Sequence, residues 1–194
     1  GLNFVNIELE KIKDKLEAPK PGQIVGLPLP PFGNLTSRFV NHEEGGVVPC
    51  IQRKAFIDLR KRVDEKEGLI YVNGPQGFGK SFALYHLYCT LSISDKNRVM
   101  YIPDCAKLNF RPFSVLIRSL IAAFAEDSQF LSSNVLSFIN PDTREPLDWL
   151  SLLERIVSHC TAKDLTFYAI FDQYNGLKNE FRTQGPTCLT KWPV

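Results

Sequence analysis

The segment Gly74-Pro-Gln-Gly-Phe-Gly-Lys-Ser81 constrains this chain more than any other stretch. It matches the phosphate-binding loop pattern G-x-x-x-x-G-K-[ST]. Its three glycines let the backbone turn several N–H groups inward around an anion. Lys80 is expected to reach the β- and γ-phosphates of a nucleotide, and the Ser81 hydroxyl is expected to bind Mg²⁺. The predicted nucleotide contacts are Gly74, Pro75, Gln76, Gly77, Phe78, Gly79, Lys80, Ser81 and Phe82.

The flanks of this motif fit a strand, a loop and a helix in that order. Residues 69–72 are apolar and rich in β-forming side chains, which predicts a strand before the loop. Residues 81–90 lack Gly and Pro, which predicts a helix whose positive end faces the same phosphates. The alternative is a glycine-rich turn that binds nothing, but such a turn does not need Lys and Ser in those two places.

A second segment completes the predicted site. Every residue from Leu165 to Phe171 is apolar, aromatic or Thr, which is typical of a strand covered on both faces, and Asp172 follows it. This is the form of a Walker B motif, in which Asp172 would hold Mg²⁺ through water opposite Ser81. The alternative is a buried strand that ends in an ordinary turn aspartate.

The residue after this acid bears on catalysis. Many ATPases have Glu there to activate the attacking water, whereas this chain has Gln173. Gln cannot take a proton but can orient water, which favours slow or conditional hydrolysis with Lys80, Asp172 and Gln173 as catalytic candidates. A turn residue that only makes hydrogen bonds is an equally good interpretation. No Asn-Lys-x-Asp motif follows the strand, which favours ATP over GTP.

Composition narrows the class of protein. The chain of 194 residues is 44% hydrophobic and 23% charged with a net charge of +2, so no overall bias points to nucleic acid or membranes. The five cysteines are odd in number and form no C-x-x-C pair, which indicates buried thiols of a reducing compartment. There is no apolar run of roughly eighteen residues, so no transmembrane helix is expected. The chain begins with Gly, and we expect a fragment of a longer polypeptide.

Four parts are predicted along the chain. They are an amphipathic helix over 1–18, a Pro/Gly-rich linker over 19–50, a P-loop core over 51–180 and an irregular tail over 181–194. Within the core we expect a basic helix over 52–67, a strand over 99–102, an apolar helix over 113–126, a polar loop over 127–146 and a helix over 147–160. The basic side chains of the first of these helices are interpreted as a solvated face, with contact to nucleotide or nucleic acid as the alternative: Arg53, Lys54, Arg60, Lys61 and Arg62. Asp104 and Cys105 follow a strand, where α/β sheets carry functional loops.

Three runs taken together resemble the P-loop domain of Crinkler effectors of oomycetes and some fungi. They are residues 74–87, Tyr101-Ile-Pro-Asp-Cys105 and Phe171-Asp-Gln-Tyr-Asn-Gly-Leu177. The resemblance covers roughly residues 50–180 and includes the Asp172–Gln173 pair. It implies an α/β three-layer P-loop NTPase of the AAA+/ASCE-like class with a parallel sheet, here truncated after the Walker B strand.

The same resemblance implies a biological setting. It implies an ATP- and Mg²⁺-binding module of a secreted effector that is delivered into host cells, often to nuclei, where DNA is an implied target. Host proteins are implied as further partners. Nucleic acid would be contacted only through a nuclease-like C-terminal domain, because this chain carries no clustered-carboxylate nuclease motif.

Two functional hypotheses stay open at this point. One is an ATP-binding module with slow hydrolysis, and the other is a non-catalytic interaction fragment with a vestigial P-loop, which binds through helix 113–126 or the Pro-rich segment. AAA+-like folds insert a later strand between the P-loop strand and the Walker B strand. Without it, we expect the strands at 69–72 and 166–171 to pair directly or to leave backbone groups unpaired.

Overall fold

The computed structural model describes residues 9–29, 47–65, 68–110, 112–136 and 149–174. The helices there are α1 (Lys13–Glu17), α2 (Lys54–Asp64), α3 (Lys80–Leu91), α4 (Pro112–Ala123) and α5 (Trp149–Ala162). Short helical turns lie at Cys105–Asn109, Ser128–Phe130 and Leu131–Val135, and the strands are β1 (Ile24–Pro28), β2 (Val47–Ile51), β3 (Asn97–Ile102) and β4 (Thr166–Phe171). Within the described ranges, no helix combines the length and apolar character needed to span a membrane.

Strands β1 and β2 form an antiparallel pair that belongs to the protein core. Pro28, the last residue of β1, lies opposite Val47, the first residue of β2. The Pro28 carbonyl accepts a 2.6 Å hydrogen bond from the Tyr85 hydroxyl in the interior. The inward side chains of the pair are fully buried: Val25, Leu27 and Val48. The predicted linker is therefore wrong where it includes β1 and β2, since its prolines do favour extended backbone but the apolar residues between them pack into the core.

Strands β3 and β4 form a parallel pair. Their register runs from Asn97 opposite Thr166 to Ile102 opposite Phe171. Strand β4 has the predicted bounds, and β3 begins two residues before the predicted strand at 99–102. Because parallel strands point the same way, both carboxyl ends lie at one edge of the pair.

Apolar clusters cover both faces of this parallel pair. On one face lies the first cluster, in which Val99, Tyr101 and Ile170 pack with residues of β1, β2, α2 and α3. On the other face lies the second cluster, in which Met100 and Ile102 pack with residues of α4, α5 and the helical turns between them. The chain is thus mixed α/β with helices on both faces of a small parallel sheet, and the full three-layer P-loop NTPase fold stays a prediction.

The segment that leads into the glycine-rich loop differs from its prediction. Residues 69–72 form no strand and belong to neither of the described sheets. Ile70 and Val72 pack against the first cluster, whereas Leu69 and Tyr71 are 52% and 60% exposed. The side chains alternate as they would in a half-buried strand, but no neighbouring described strand completes the pairing.

Other predicted bounds are corrected by packing. The loop predicted over 127–146 is helical at residues 128–135, because Phe130, Leu131 and Val135 fill the second cluster. Helices α2 and α4 are shorter than predicted, and α5 ends two residues later than expected. The tail predicted over 181–194 lies outside the described residues.

The burial of α4 and β1 also bears on the hypothesis of an interaction fragment. Ile117 and Leu120 of α4 are buried against the parallel sheet, and the inward side chains of β1 are buried as well. The inward faces of α4 and β1 are therefore already covered within the chain.

Candidate functional site

The glycine-rich loop has the backbone geometry that its motif predicts. Gly74, Gly77 and Gly79 have φ values of 153°, 84° and 80°, which L side chains rarely adopt. Gly79 is the N-cap of α3, so the helix begins at Lys80, one residue before the predicted helix over 81–90. The N–H groups of the first helical turn consequently point out of the end of the helix at the loop.

The side chain of Lys80 lies inside this loop. Its Nζ donates hydrogen bonds of 2.7 Å to the carbonyl oxygens of both Gly74 and Pro75. Ser81 follows in the first turn of α3 and is half-buried. Phe78 at the tip of the loop is 67% exposed, whereas Phe82 packs against the first cluster. The loop is open to solvent, and its lysine is already turned toward the loop backbone.

Helix α3 runs antiparallel to β3, which fixes the loop relative to the sheet. At one end, the Asn97 side chain donates a 2.8 Å hydrogen bond to the carbonyl of Leu91, the last residue of α3. Further along β3, the ring of Tyr101 lies 5.8 Å from that of Tyr85 and 5.3 Å from that of Tyr88. The start of α3 is therefore directed toward the carboxyl edge of β3 and β4.

Asp172 lies at that same edge, directly after β4. Its backbone N–H donates to the Ile102 carbonyl at 2.8 Å, and its carbonyl accepts from the Cys105 N–H at 3.1 Å. The side chain is 4% exposed, and its Oδ1 accepts a 2.8 Å hydrogen bond from the N–H of Gln173. These bonds hold the carboxylate in a defined position at the edge where the predicted metal site would lie.

Gln173 has an unusual backbone conformation. Its φ is 55°, in the left-handed region that costs a non-glycine residue about 1 kcal/mol or more. Its side-chain Nε2 donates to the Pro103 carbonyl at 3.3 Å, which ties β4 to the residue after β3. Backbone strain of this kind is found at functional sites, which fits a residue that orients water. The hydrogen bond of its side chain equally fits a turn residue, so the geometry is compatible with both predicted roles.

Asp104 and Cys105 complete the edge after β3. Asp104 accepts a 3.0 Å hydrogen bond from the Ala106 N–H and starts a 3₁₀ turn. Cys105 is fully buried, and burial, together with the negative charges of Asp172 and Asp104, raises the pKa of its thiol to about 12. Cys105 is therefore a neutral packing residue, and the described cysteines are all free and buried, as predicted: Cys50, Cys89, Cys105 and Cys160.

The donors available to a metal ion come from both segments of the site. Among the described residues, no group of three or more His, Cys, Asp or Glu side chains could hold a metal ion. A P-loop metal site is built differently, with one hydroxyl, one carboxylate, phosphate oxygens and water. Ser81 and Asp172 supply hard oxygen donors of that type.

Arg53, which the sequence pattern grouped with the basic face of a helix, also lies in this region. Its Nη1 donates a 3.3 Å hydrogen bond to the Phe78 carbonyl and lies 3.6 Å from where a Cβ on Gly79 would be. Its backbone is extended, with φ −95° and ψ 154°, because it is the N-cap of α2 and not part of the helix. Periodicity therefore assigned Arg53 to a helix that begins one residue later, although its side chain is exposed, as expected of a solvated face. The sequence feature that could have indicated this position is a basic residue between a strand and a helix.

A separate polar cluster lies under α5. Asp127 is buried and bonds to the Arg98 side chain, while Lys163 Nζ and His159 Nε2 lie 3.1 Å and 3.5 Å from its Oδ1. Burial acts to raise the pKa of Asp127, but hydrogen bonds from Arg98 and Lys163 outweigh it and keep this pKa below its ordinary value. An adjoining cleft of about 430 Å³ lies between α5 and residues 130–134. The cluster joins β3 to α5 and is remote from the glycine-rich loop in sequence.

Comparison with protein-family models, with curated proteins and with solved structures finds no match to this chain.

Proposed function

We propose that the described chain is an Mg·ATP-binding P-loop module. The observation that carries this proposal is the loop 74–81, with left-handed glycines, an inward lysine and a helix that starts at Lys80. Each of these features serves a phosphate ligand, since the backbone N–H groups, the ammonium and the helix end all present positive charge at one place. The direction of α3 adds that this place faces the edge at which Asp172 lies.

Lys80 acts by exchanging partners. Its ammonium donates 2.7 Å hydrogen bonds to the carbonyls of Gly74 and Pro75. The β- and γ-phosphates offer it charged oxygens, which form stronger hydrogen bonds than carbonyl oxygens do. Ser81 and Asp172 hold the Mg²⁺ that accompanies ATP, and the metal supplies neutralisation of phosphate charge.

Hydrolysis by this module is slow. Gln173 has no proton-accepting carboxylate, and its side-chain N–H₂ is engaged by the Pro103 carbonyl at 3.3 Å. Its remaining contribution is to orient a water molecule through its Oε1, as the glutamine of some GTPases does. Binding is therefore the primary activity, and turnover is conditional on a change at Gln173.

The test compares ATP binding by the parent and two lysine variants. Lys80→Ala removes the charge inside the loop and should abolish binding of a fluorescent ATP analogue. Lys61→Ala removes a lysine whose side chain is 76% exposed on α2, and this control should bind as the parent does. Equal affinity of the parent and Lys80→Ala would refute the proposal.

Thermal stability separates this proposal from an interaction fragment with a vestigial loop. One observation favours the fragment: residues 69–72 belong to no described sheet, and Leu69 and Tyr71 are exposed. A ligand that binds only the folded state at 100 times its Kd adds about 2.7 kcal/mol, which raises Tm by several degrees. An unchanged Tm with saturating Mg·ATP would favour the interaction fragment. Delivery into host cells is a further part of this proposal that rests on the resemblance to Crinkler effectors.

A further inference from the structure

Besides Lys80, the cationic side chain of Arg53 contacts the glycine-rich loop. Its guanidinium covers Gly79, with Nη1 and Cζ 3.6 Å and 3.8 Å from the position of a Cβ there. It reaches the loop from the start of α2, about 25 residues earlier in the chain. Lys80 bonds to the carbonyls at the beginning of the loop, and Arg53 bonds to the Phe78 carbonyl near its end.

Gln52, the residue before Arg53, is anchored by four hydrogen bonds. Gln52 is fully buried, its Nε2 donates to the Lys15 carbonyl at 2.9 Å, and its Oε1 accepts from the Lys20 N–H at 2.7 Å. Its backbone N–H and C=O are also hydrogen-bonded, at 2.8 Å each. The turn between β2 and α2 is therefore rigid at the residue that precedes Arg53.

Helix α2 is held against the P-loop helix. Phe56, in the first turn of α2, stacks on His86 of α3 with ring centroids 3.8 Å apart. Both side chains are buried in the first cluster or against it. The base of Arg53 is consequently fixed relative to α3, while its side chain is exposed to solvent above the loop.

We propose that Arg53 is a phosphate ligand of the nucleotide bound at the loop, an inference that rests on the proposed function. Its 3.3 Å bond to the Phe78 carbonyl is long, exposed and uses a single Nη1 donor. A guanidinium has five N–H donors in a planar fork, which bind phosphate oxygens two at a time. A polyphosphate in the loop draws Arg53 from this carbonyl, as it draws Lys80 from its own.

The competing role is a brace that only shapes the loop through the Phe78 carbonyl. Two variants separate the roles. Arg53→Ala removes both the charge and the donor, whereas Arg53→Gln removes the charge and keeps an N–H₂ donor for the carbonyl. Lys54→Ala is the matched control, because Lys54, the first residue of α2, is also exposed and its substitution also removes one positive charge.

The experiment measures Kd for Mg·ATP by calorimetry and for inorganic tripolyphosphate by competition. A phosphate ligand predicts a loss of about 10- to 100-fold for both Arg53 variants, equal for the two probes, and an unchanged Kd for Lys54→Ala. A normal Kd for Arg53→Gln would assign the brace role and overturn the proposal. Weaker ATP binding with unchanged tripolyphosphate binding would overturn it too, because the arginine would then contact the base or sugar.

The parent protein distinguishes this inference from the function on which it rests. If the parent binds Mg·ATP and Lys80→Ala does not, but both Arg53 variants bind normally, only the role of Arg53 is refuted. If the parent itself binds neither probe, the proposed function fails and the role of Arg53 fails with it.

Discussion

Acidification should destabilise the fold through His86. This side chain is 1% exposed in α3 and stacks on Phe56. Burial lowers the pKa of His86 from 6.5 to about 4, because a protonated ring would lose its hydration in the apolar cluster. Between these values the unfolded chain binds more protons than the folded one, so the free energy of unfolding falls as the pH decreases.

The magnitude follows from the two pKa values. At pH 7.5 the imidazole is neutral in the folded and in the unfolded chain, so it does not change the free energy of unfolding. At pH 5.0 it is largely protonated only in the unfolded chain, which lowers the free energy of unfolding by about 2 kcal/mol. The loss approaches a limit of about 3 kcal/mol as the pH falls below the folded pKa.

Urea denaturation at pH 7.5 and 5.0, followed by circular dichroism, measures this loss. His86→Leu is the control, since leucine fills the position without a titrating group. The parent should lose about 2 kcal/mol more than the variant between the two pH values, and contributions common to both proteins cancel. An equal loss in parent and variant would refute the assignment of a buried, neutral His86.

Two further predictions concern the loop and the buried ion cluster. Gly79→Ala should lower the unfolding free energy by about 1 to 2 kcal/mol and weaken nucleotide binding, because φ at Gly79 is 80°. In the control Gly68→Ala, where a Cβ meets open space, calorimetry should find neither quantity changed. Equal effects of the two substitutions would contradict the loop geometry. Asp127→Ala should lower the unfolding free energy in urea by about 3 to 5 kcal/mol, since it leaves the Arg98 charge buried without its carboxylate. Asp164→Asn, which weakens the exposed pair with Lys96, should change little, and a mild effect of Asp127→Ala would show that Arg98 reaches water.

Local patterns predicted those parts of the site that depend on local requirements. A left-handed glycine loop is encoded by the glycines themselves, and a strand covered on both faces needs a continuous apolar run such as 165–171. The loop and β4 therefore have the geometry expected from their sequences. Asp172 directly follows β4 and therefore lies at the edge toward which α3 is directed.

Pairing and packing decided the features that sequence did not predict. Residues 69–72 have the side-chain pattern of a strand, but a strand also requires a partner, which no local pattern can supply. The prolines around β1 suggested a linker, yet the apolar residues between them are buried against α3. Arg53 was assigned to a helical face because periodicity ignores the N-cap, whose extended backbone directs a side chain differently.

The most direct test of the central claim is the Mg²⁺ dependence of ATP affinity in the parent and in Asp172→Asn. If the loop and the end of β4 form one site, Mg²⁺ should tighten ATP binding by the parent at least about tenfold, a difference of about 1.4 kcal/mol, and the substitution should remove that gain. The affinity for metal-free ATP should stay the same in both proteins, because Lys80 and the loop N–H groups are unchanged. An undiminished Mg²⁺ effect in Asp172→Asn would contradict a shared metal–nucleotide site.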